Sequence, residues 1–243
     1  MQQAPLSANG HHNVSHKGMS PAVIIQEMTA ALQSAVVIDD YKLKLMLAAL
    51  IAKGHILIED VTGIGRTMVA KGLAKTIHAR FKRIQCTPDL LPGDITGGAI
   101  YNQREQRFEF VEGPIFGNIV LVDEINRASP RTQSSLLESM AEGQVTSDGT
   151  THTLPEPFFI IATQNPVEMA GTFPLPEAQL DRFIIAMNLG YPSYDEEISI
   201  LEREEHANPL DNIQAVVQLE DIIHLQETAK AVSVVRPLKE YIV

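Results

Sequence analysis

At roughly 150 residues per domain, the 243 residues make one large domain, or one domain with a smaller companion. Hydrophobic residues at 44% and charged residues at 20% exclude a disordered or fibrous chain, and the single cysteine, Cys86, excludes an internal disulfide and reads as a small buried hydrophobe in a reducing, cytoplasmic setting. A net charge of −11 with no Lys/Arg-rich run argues against nucleic acid as a partner, and the longest apolar run, Leu45 to Ala52, is far short of the roughly 20 residues needed for direct membrane insertion.

Residues 1–19 are polar and lack the apolar stretch of a signal peptide, so they are expected to form a disordered arm. His11, His12 and His16 lie in it without the cysteines or carboxylates that would make a metal site. Ser20-Pro21 reads as an N-cap with proline at the first helical position, opening a helix to about Ser34. A second helix is expected over Asp40 to Lys53, closed by Gly54 as a residue free to take positive φ.

Short, nearly unbroken apolar runs follow at 55–58, 119–122, 158–161 and 183–185. Strands apolar on both faces belong to a parallel sheet covered by helices. Between them, residues 66–80 place Val69, Leu73 and Ile77 on one helical face, and 130–141 place Leu136, Leu137 and Met140 inward. This alternation predicts an α/β sandwich. Two hairpins interrupt it, one around Ala99–Val111 and one around Gln144–Leu154 turning at Asp148-Gly149. After residue 190 the pattern is wholly helical, a candidate smaller domain.

Three elements carry chemistry. The first apolar strand runs into Asp60, Val61, Thr62, Gly63, Ile64, Gly65, Arg66, Thr67 and Met68 and then a helix, the strand, glycine loop and helix order of a nucleotide phosphate site. Gly63 and Gly65 let backbone N–H groups close around phosphate oxygens, and Thr67 offers a hydroxyl to Mg²⁺. The pattern G-x-x-x-x-G-K-[ST] is broken by Asp60 at the first glycine and by Arg66 at the lysine. Asp123 and Glu124 end the second apolar run; Asp123 is suited to hold Mg²⁺ through water and Glu124 to polarise an attacking water. Asn165, ending the third run, is an uncharged group suited to orient water and sense a γ-phosphate.

The stretches Thr87–Gly97 (TPDLLPGDITG), Asp123–Arg127 (DEINR), Pro130–Thr146 (PRTQSSLLESMAEGQVT), Ala162–Pro166 (ATQNP) and Gly171–Phe183 (GTFPLPEAQLDRF) closely resemble MoxR-type AAA+ ATPases. The likeness covers well over half the chain. It implies a P-loop NTPase three-layer sandwich with a five-stranded parallel sheet, spanning 20–190, then a partial helical lid over 191–243. It also implies ATP with Mg²⁺ and assembly into rings, commonly hexamers. The two hairpins correspond to the family's helix-2 insert and pre-sensor-1 hairpin. By position Thr67 and Asp123 form the Mg²⁺ side, Glu124 is the catalytic base and Asn165 is sensor 1. Arg182 resembles the arginine finger that reaches a neighbouring subunit's nucleotide; the alternative is a structural arginine pairing with Asp181 or Glu177, and Arg127 and Arg131 are the other interface candidates. Family members act as chaperone-like ATPases, often beside von Willebrand factor A domain proteins, in maturing client proteins or inserting metal cofactors.

The sequence departs from the family in three places. Arg66 replaces the loop lysine and Thr62 the usual proline, so hydrolysis is expected to suffer more than binding. No Ser-Pro-Arg-like sensor-2 segment occurs after residue 193, so a partial lid with weakened nucleotide closure is expected. No glycine precedes the Asp40 helix, which leaves the adenine side unspecified. The leading reading is a ring-forming Mg²⁺-dependent ATPase that remodels clients; the alternative is a nucleotide-gated interaction protein that binds ATP or ADP with little hydrolysis.

Overall fold

The computed structural model describes residues 20–60, 65–166, 171–206 and 209–242. The expected arm with its three histidines, and Val61, Thr62, Gly63 and Ile64 of the glycine loop, lie outside the described residues. Helices α1 (Pro21–Ala35) and α2 (Asp40–Ile51) lead into strand β1 (Ile56–Glu59) and helix α3 (Arg66–Thr76). There follow β2 (Phe81–Gln85), a short α4 (Pro92–Thr96), the hairpin β3 (Gly97–Asn102) and β4 (Arg107–Glu112), and β5 (Ile119–Asp123). Helix α5 (Pro130–Glu142) precedes a second hairpin, β6 (Gln144–Ser147) and β7 (Thr150–Thr153), then β8 (Phe159–Gln164), α6 (Glu177–Leu180) and β9 (Ile185–Met187). The remainder is helical: α7 (Tyr194–His206), α8 (Leu219–Lys230) and α9 (Arg236–Ile242).

Five strands form one sheet in the order β2-β5-β8-β1-β9, and every neighbouring pair is parallel. Because successive side chains of a strand point to opposite faces, each apolar strand feeds two cores. Ile56, Ile58, Ile119, Leu121, Phe159 and Ile161 join residues of α1, α2 and α3 on one side. Leu57, Val120, Val122, Ile160 and Ala162 join Leu136, Leu137 and Met140 of α5 on the other. Burial on both faces made β1, β5 and β8 readable as unbroken apolar runs, whereas β9, expected at 183–185, lies at the other sheet edge over Ile185–Met187 with Ala186 exposed.

The fifth, β2, was not readable in that way. It lies at the sheet edge, paired only with β5, and its Lys82, Arg83 and Gln85 are exposed while Ile84 is buried. Gly54 also plays a different part from the one expected. Helix α2 ends at Ile51, and it is Lys53 that takes the left-handed backbone, at φ 55°. A side chain on Gly54 would lie 2.8 Å from Ile184 Cβ, so glycine is there for the close approach of the chain leading into β9.

Both hairpins form, and the second turns with Asp148 at φ 49° and Gly149 at φ 76°, the pair of positive values that a two-residue turn of this hand requires. The segment after residue 190 shares the core of the first sheet face: Leu210, Ile213, Val217, Ile222 and Leu225 are buried against it, and Gln226 of α8 donates to the Leu50 carbonyl at 2.9 Å.

Candidate nucleotide site

Parallel α/β sheets bind ligands at the carboxyl ends of their strands, where helix N-termini also point. Here β1, β5 and β8 are neighbours, and their carboxyl ends carry Asp60, Asp123 with Glu124, and Asn165. The three motifs found apart in the sequence therefore meet at one edge.

Gly65, at φ 73°, caps α3 and brings no side-chain acceptor to the helix start. A Cβ built there would touch nothing within 4 Å among the described residues. A helix start with no side-chain cap and no acidic residue in its first turn suits phosphate. Arg66 opens the helix and is only 7% exposed, Thr67 is half-buried, and Met68 packs its side chain against the core. Asp60 is buried; its backbone N–H donates to the Gln164 carbonyl at 3.2 Å, and its carboxylate accepts from the Leu189 N–H, which joins the ends of β1, β8 and the chain leaving β9.

Asp123 lies on the face of the sheet that Ile119 and Leu121 present to α3, since it follows them at two-residue steps. Its Oδ2 accepts from Arg83 Nε at 2.7 Å and its Oδ1 from the Thr163 hydroxyl at 3.4 Å. Glu124 follows in the left-handed region, φ 57°, an unusual conformation for a residue with a side chain. It is held there by its N–H, which donates to Thr163 Oγ1 at 3.0 Å, and by its Oε2, which accepts from Arg127 Nη1 at 3.0 Å and Gln85 Nε2 at 3.2 Å. Asn165 is buried at the end of β8, one step beyond the Gln164–Glu59 contact that ties β8 to β1.

The two adjacent acids act on Cys86 as well. Cys86 is fully buried, as its reading as a small buried hydrophobe has it, and burial first, then the charges of Asp123 and Glu124, push its thiol up to about 12.

Arg182 is exposed and donates from Nη1 to the Leu137 carbonyl at 3.2 Å, rather than forming the intrachain ion pair with Asp181 or Glu177 that was the alternative. Arg127 pairs with Glu124 inside the chain, and Arg131 is exposed at the start of α5. Arg236 of α9 pairs with Glu240 on its own helix.

Sequence reasoning missed Arg83, Gln85 and Thr163. The register of β2 against β5 sets Gln85 opposite Asp123 and Arg83 opposite Leu121, so recognition of β2 as a strand would have put both beside the acids. Thr163 sits inside the ATQNP stretch, where the hydroxyl is the only polar group of the four residues Ile160–Thr163.

Among the described residues, no three His, Cys, Asp or Glu side chains converge to cage a metal. Mg²⁺ seldom needs such a cage: one or two protein oxygens, retained waters and substrate phosphates suffice. Thr67, in the first turn of α3, and Asp123, at the end of β5, carry oxygen donors of the kind such a site uses.

The fold and this edge define a P-loop-type nucleotide-binding protein. A model of the ATPase family associated with various cellular activities (AAA) matches residues 55–185. The chain is 57% identical over 199 residues to the uncharacterized protein YeaC of Bacillus subtilis, covering 82% of this chain and 62% of that protein. It is 42% identical over 205 residues to the chaperone MoxR1 of Mycobacterium tuberculosis, covering 84% and 54%. The crystal structure of a candidate ATPase from Cytophaga hutchinsonii matches with a TM-score of 0.83 at 41% identity, covering 90% of this chain and 67% of that one. The chain belongs to the AAA ATPase family, in its MoxR branch. It spans 54–62% of the length of these two curated relatives.

Proposed function

We propose that the chain is the nucleotide-binding part of a Mg²⁺-dependent ATPase with a chaperone-like role in remodelling or maturing client proteins. The observation that carries this reading is the meeting of the uncapped α3 N-terminus, the Asp123-Glu124 pair and Asn165 at the carboxyl ends of three adjacent strands. In it, the loop Asp60–Met68 and the N–H groups at the start of α3 bind the phosphates of ATP. Thr67 and Asp123 hold Mg²⁺, which when bound neutralises charge on the β- and γ-phosphates. Glu124, braced by Arg127, Gln85 and Thr163, takes the proton of the attacking water. Asn165 orients that water.

The exposed Arg182 fits a finger that completes a neighbour's site, so the working form is a ring of copies, with six as the family's common number. A von Willebrand factor A domain partner and metal-cofactor insertion into clients rest on membership of the MoxR branch alone. A net charge of −11 speaks against nucleic acid as the client. Among the described residues no helix is long and apolar enough to cross a membrane.

Binding of a fluorescent ATP analogue and phosphate release by the purified chain test the proposal together. Binding with release supports it, and no binding contradicts it. One observation favours the second reading, a nucleotide-gated interaction protein. Arg66 is 7% exposed, and a planar guanidinium there does not reproduce a lysine's compact charge. Arg66→Lys decides between them: a gain of about 10²–10³ in release, the usual worth of one well-placed donor, over a negligible starting rate supports the second reading.

A further inference from the structure

Two residues of the edge strand β2, Arg83 and Gln85, lie on the same face at a two-residue step and grip the two acids of the β5 end separately. Arg83 Nε donates to Asp123 Oδ2 at 2.7 Å, Arg83 Nη2 donates to Gln85 Oε1 at 2.9 Å, and Gln85 Nε2 donates to Glu124 Oε2 at 3.2 Å. This makes one continuous line of contacts from the carboxylate placed to serve a divalent cation to the carboxylate placed to serve water.

We propose that Arg83 is the resident counter-cation of Asp123, a positioning residue that sets the concentration of Mg²⁺ the site requires. The inference rests on the nucleotide-binding reading above. Arginine cannot shed its proton, so its charge is permanent, and it occupies one carboxylate oxygen while the Thr163 hydroxyl contacts the other. Each Asp123 oxygen thus already accepts a hydrogen bond, and a cation arriving there meets a permanent positive charge beside it until Arg83 lets go. Release is feasible: the Asp123 side chain is only 11% exposed, but that of Arg83 is 51% exposed and can return to solvent without being buried elsewhere. An ion pair with one partner half in water is a modest barrier, and a divalent cation at Asp123 both competes for the oxygen and repels the guanidinium.

The line of contacts gives release a second consequence. When Arg83 leaves, Gln85 loses the group that fixes its Oε1, and its hold on Glu124 loosens. Asp123 thus sheds its counter-charge in the same event that frees Glu124 from one of the two side-chain donors named above. Arg127 retains the other.

The test uses the full chain and a fluorescent, slowly hydrolysed ATP analogue, with free Mg²⁺ stepped by a metal buffer. The reading is the Mg²⁺ midpoint for tightened analogue binding. Removing the guanidinium charge by Arg83→Gln is expected to lower that midpoint by roughly tenfold, since one unit charge a few ångströms from the cation is withdrawn. Arg83→Met removes the same charge with a side chain of different polarity and is expected to shift it equally, which keeps the test open if one variant folds poorly. Arg83→Lys keeps the charge and should stay close to the native midpoint. An unchanged or higher midpoint in both neutral variants, with normal analogue binding, overturns the role of Arg83 alone. A native chain that binds no analogue at any Mg²⁺ concentration overturns the nucleotide reading, and the inference with it.

Discussion

The hydroxyl of Thr163 accepts the backbone N–H of Glu124 at 3.0 Å, fixing a residue whose φ of 57° most side chains avoid. Thr163 is fully buried and its hydroxyl also reaches Asp123 Oδ1, so a single atom on β8 relates the two acids at the end of β5. Thr163→Val preserves shape and removes this atom, leaving the Glu124 N–H without its acceptor in a largely buried place. The expected cost is about 1–3 kcal/mol of stability, read from urea unfolding, with at least a tenfold loss of phosphate release. Thr163→Ser should restore both, and a valine variant of native stability would contradict the role.

His55 is buried just ahead of β1, with Nε2 against the Met140 carbonyl at 3.2 Å and Nδ1 accepting the Ile160 N–H at 3.1 Å. That pattern suits only the neutral ring, and burial holds its pKa below the ordinary value of 6.5 in spite of the Met140 carbonyl. In the unfolded chain the ring protonates first as pH falls. The stability due to neutral His55 is therefore whole above pH 6.5 and is lost as pH drops from there through the depressed folded value. Urea midpoints measured between pH 8 and pH 5 should fall with acid, and His55→Gln should flatten that part of the profile.

Cys86, with its thiol pushed up to about 12, should resist a disulfide reagent at pH 8 in the native state and react within seconds once urea unfolds the chain. Rapid reaction of the native protein would show that the β2 edge opens readily next to the acids.

Gly54→Ala forces a methyl toward Ile184 and should cost roughly 1–3 kcal/mol by overpacking. The same change in an Ile184→Ala background should cost much less. Equal costs in the two backgrounds would place the reason for glycine elsewhere.

The fold was legible where physics made the sequence monotonous. Three strands of the sheet, β1, β5 and β8, are buried on both faces and show as apolar runs, and the Asp148-Gly149 turn announces its hairpin. What escaped was the edge: β2 alternates Lys82, Arg83 and Gln85 with a single buried Ile84, and nothing in that pattern signals a strand that pairs on one side only. The same miss hid Arg83 and Gln85. Asp123, Glu124 and Asn165 were found because each ends an apolar run, whereas Arg83, Gln85 and Thr163 matter through contacts across strands, at sequence separations of about 40 residues. The misreading of Gly54 has a related cause, since its neighbour Ile184 is 130 residues away, and only local turn rules were available.

If Arg182 acts on a neighbour, phosphate release per subunit should climb with protein concentration, and Arg182→Ala should lose about 10³–10⁵ in turnover while binding nucleotide normally. Mixing Arg182→Ala with Glu124→Gln subunits should recover part of the activity that each lacks alone, because some mixed interfaces join an intact Glu124 to an intact Arg182. Turnover independent of concentration would remove Arg182 from this role.

The measurement closest to the central claim is phosphate release by the native chain and by Glu124→Gln, with ATP-analogue binding recorded on the same samples. The site described here predicts that the variant binds the analogue as tightly as the native chain and loses about 10²–10⁴ in turnover, the range of a positioned general base. Equal turnover in the two proteins would contradict it.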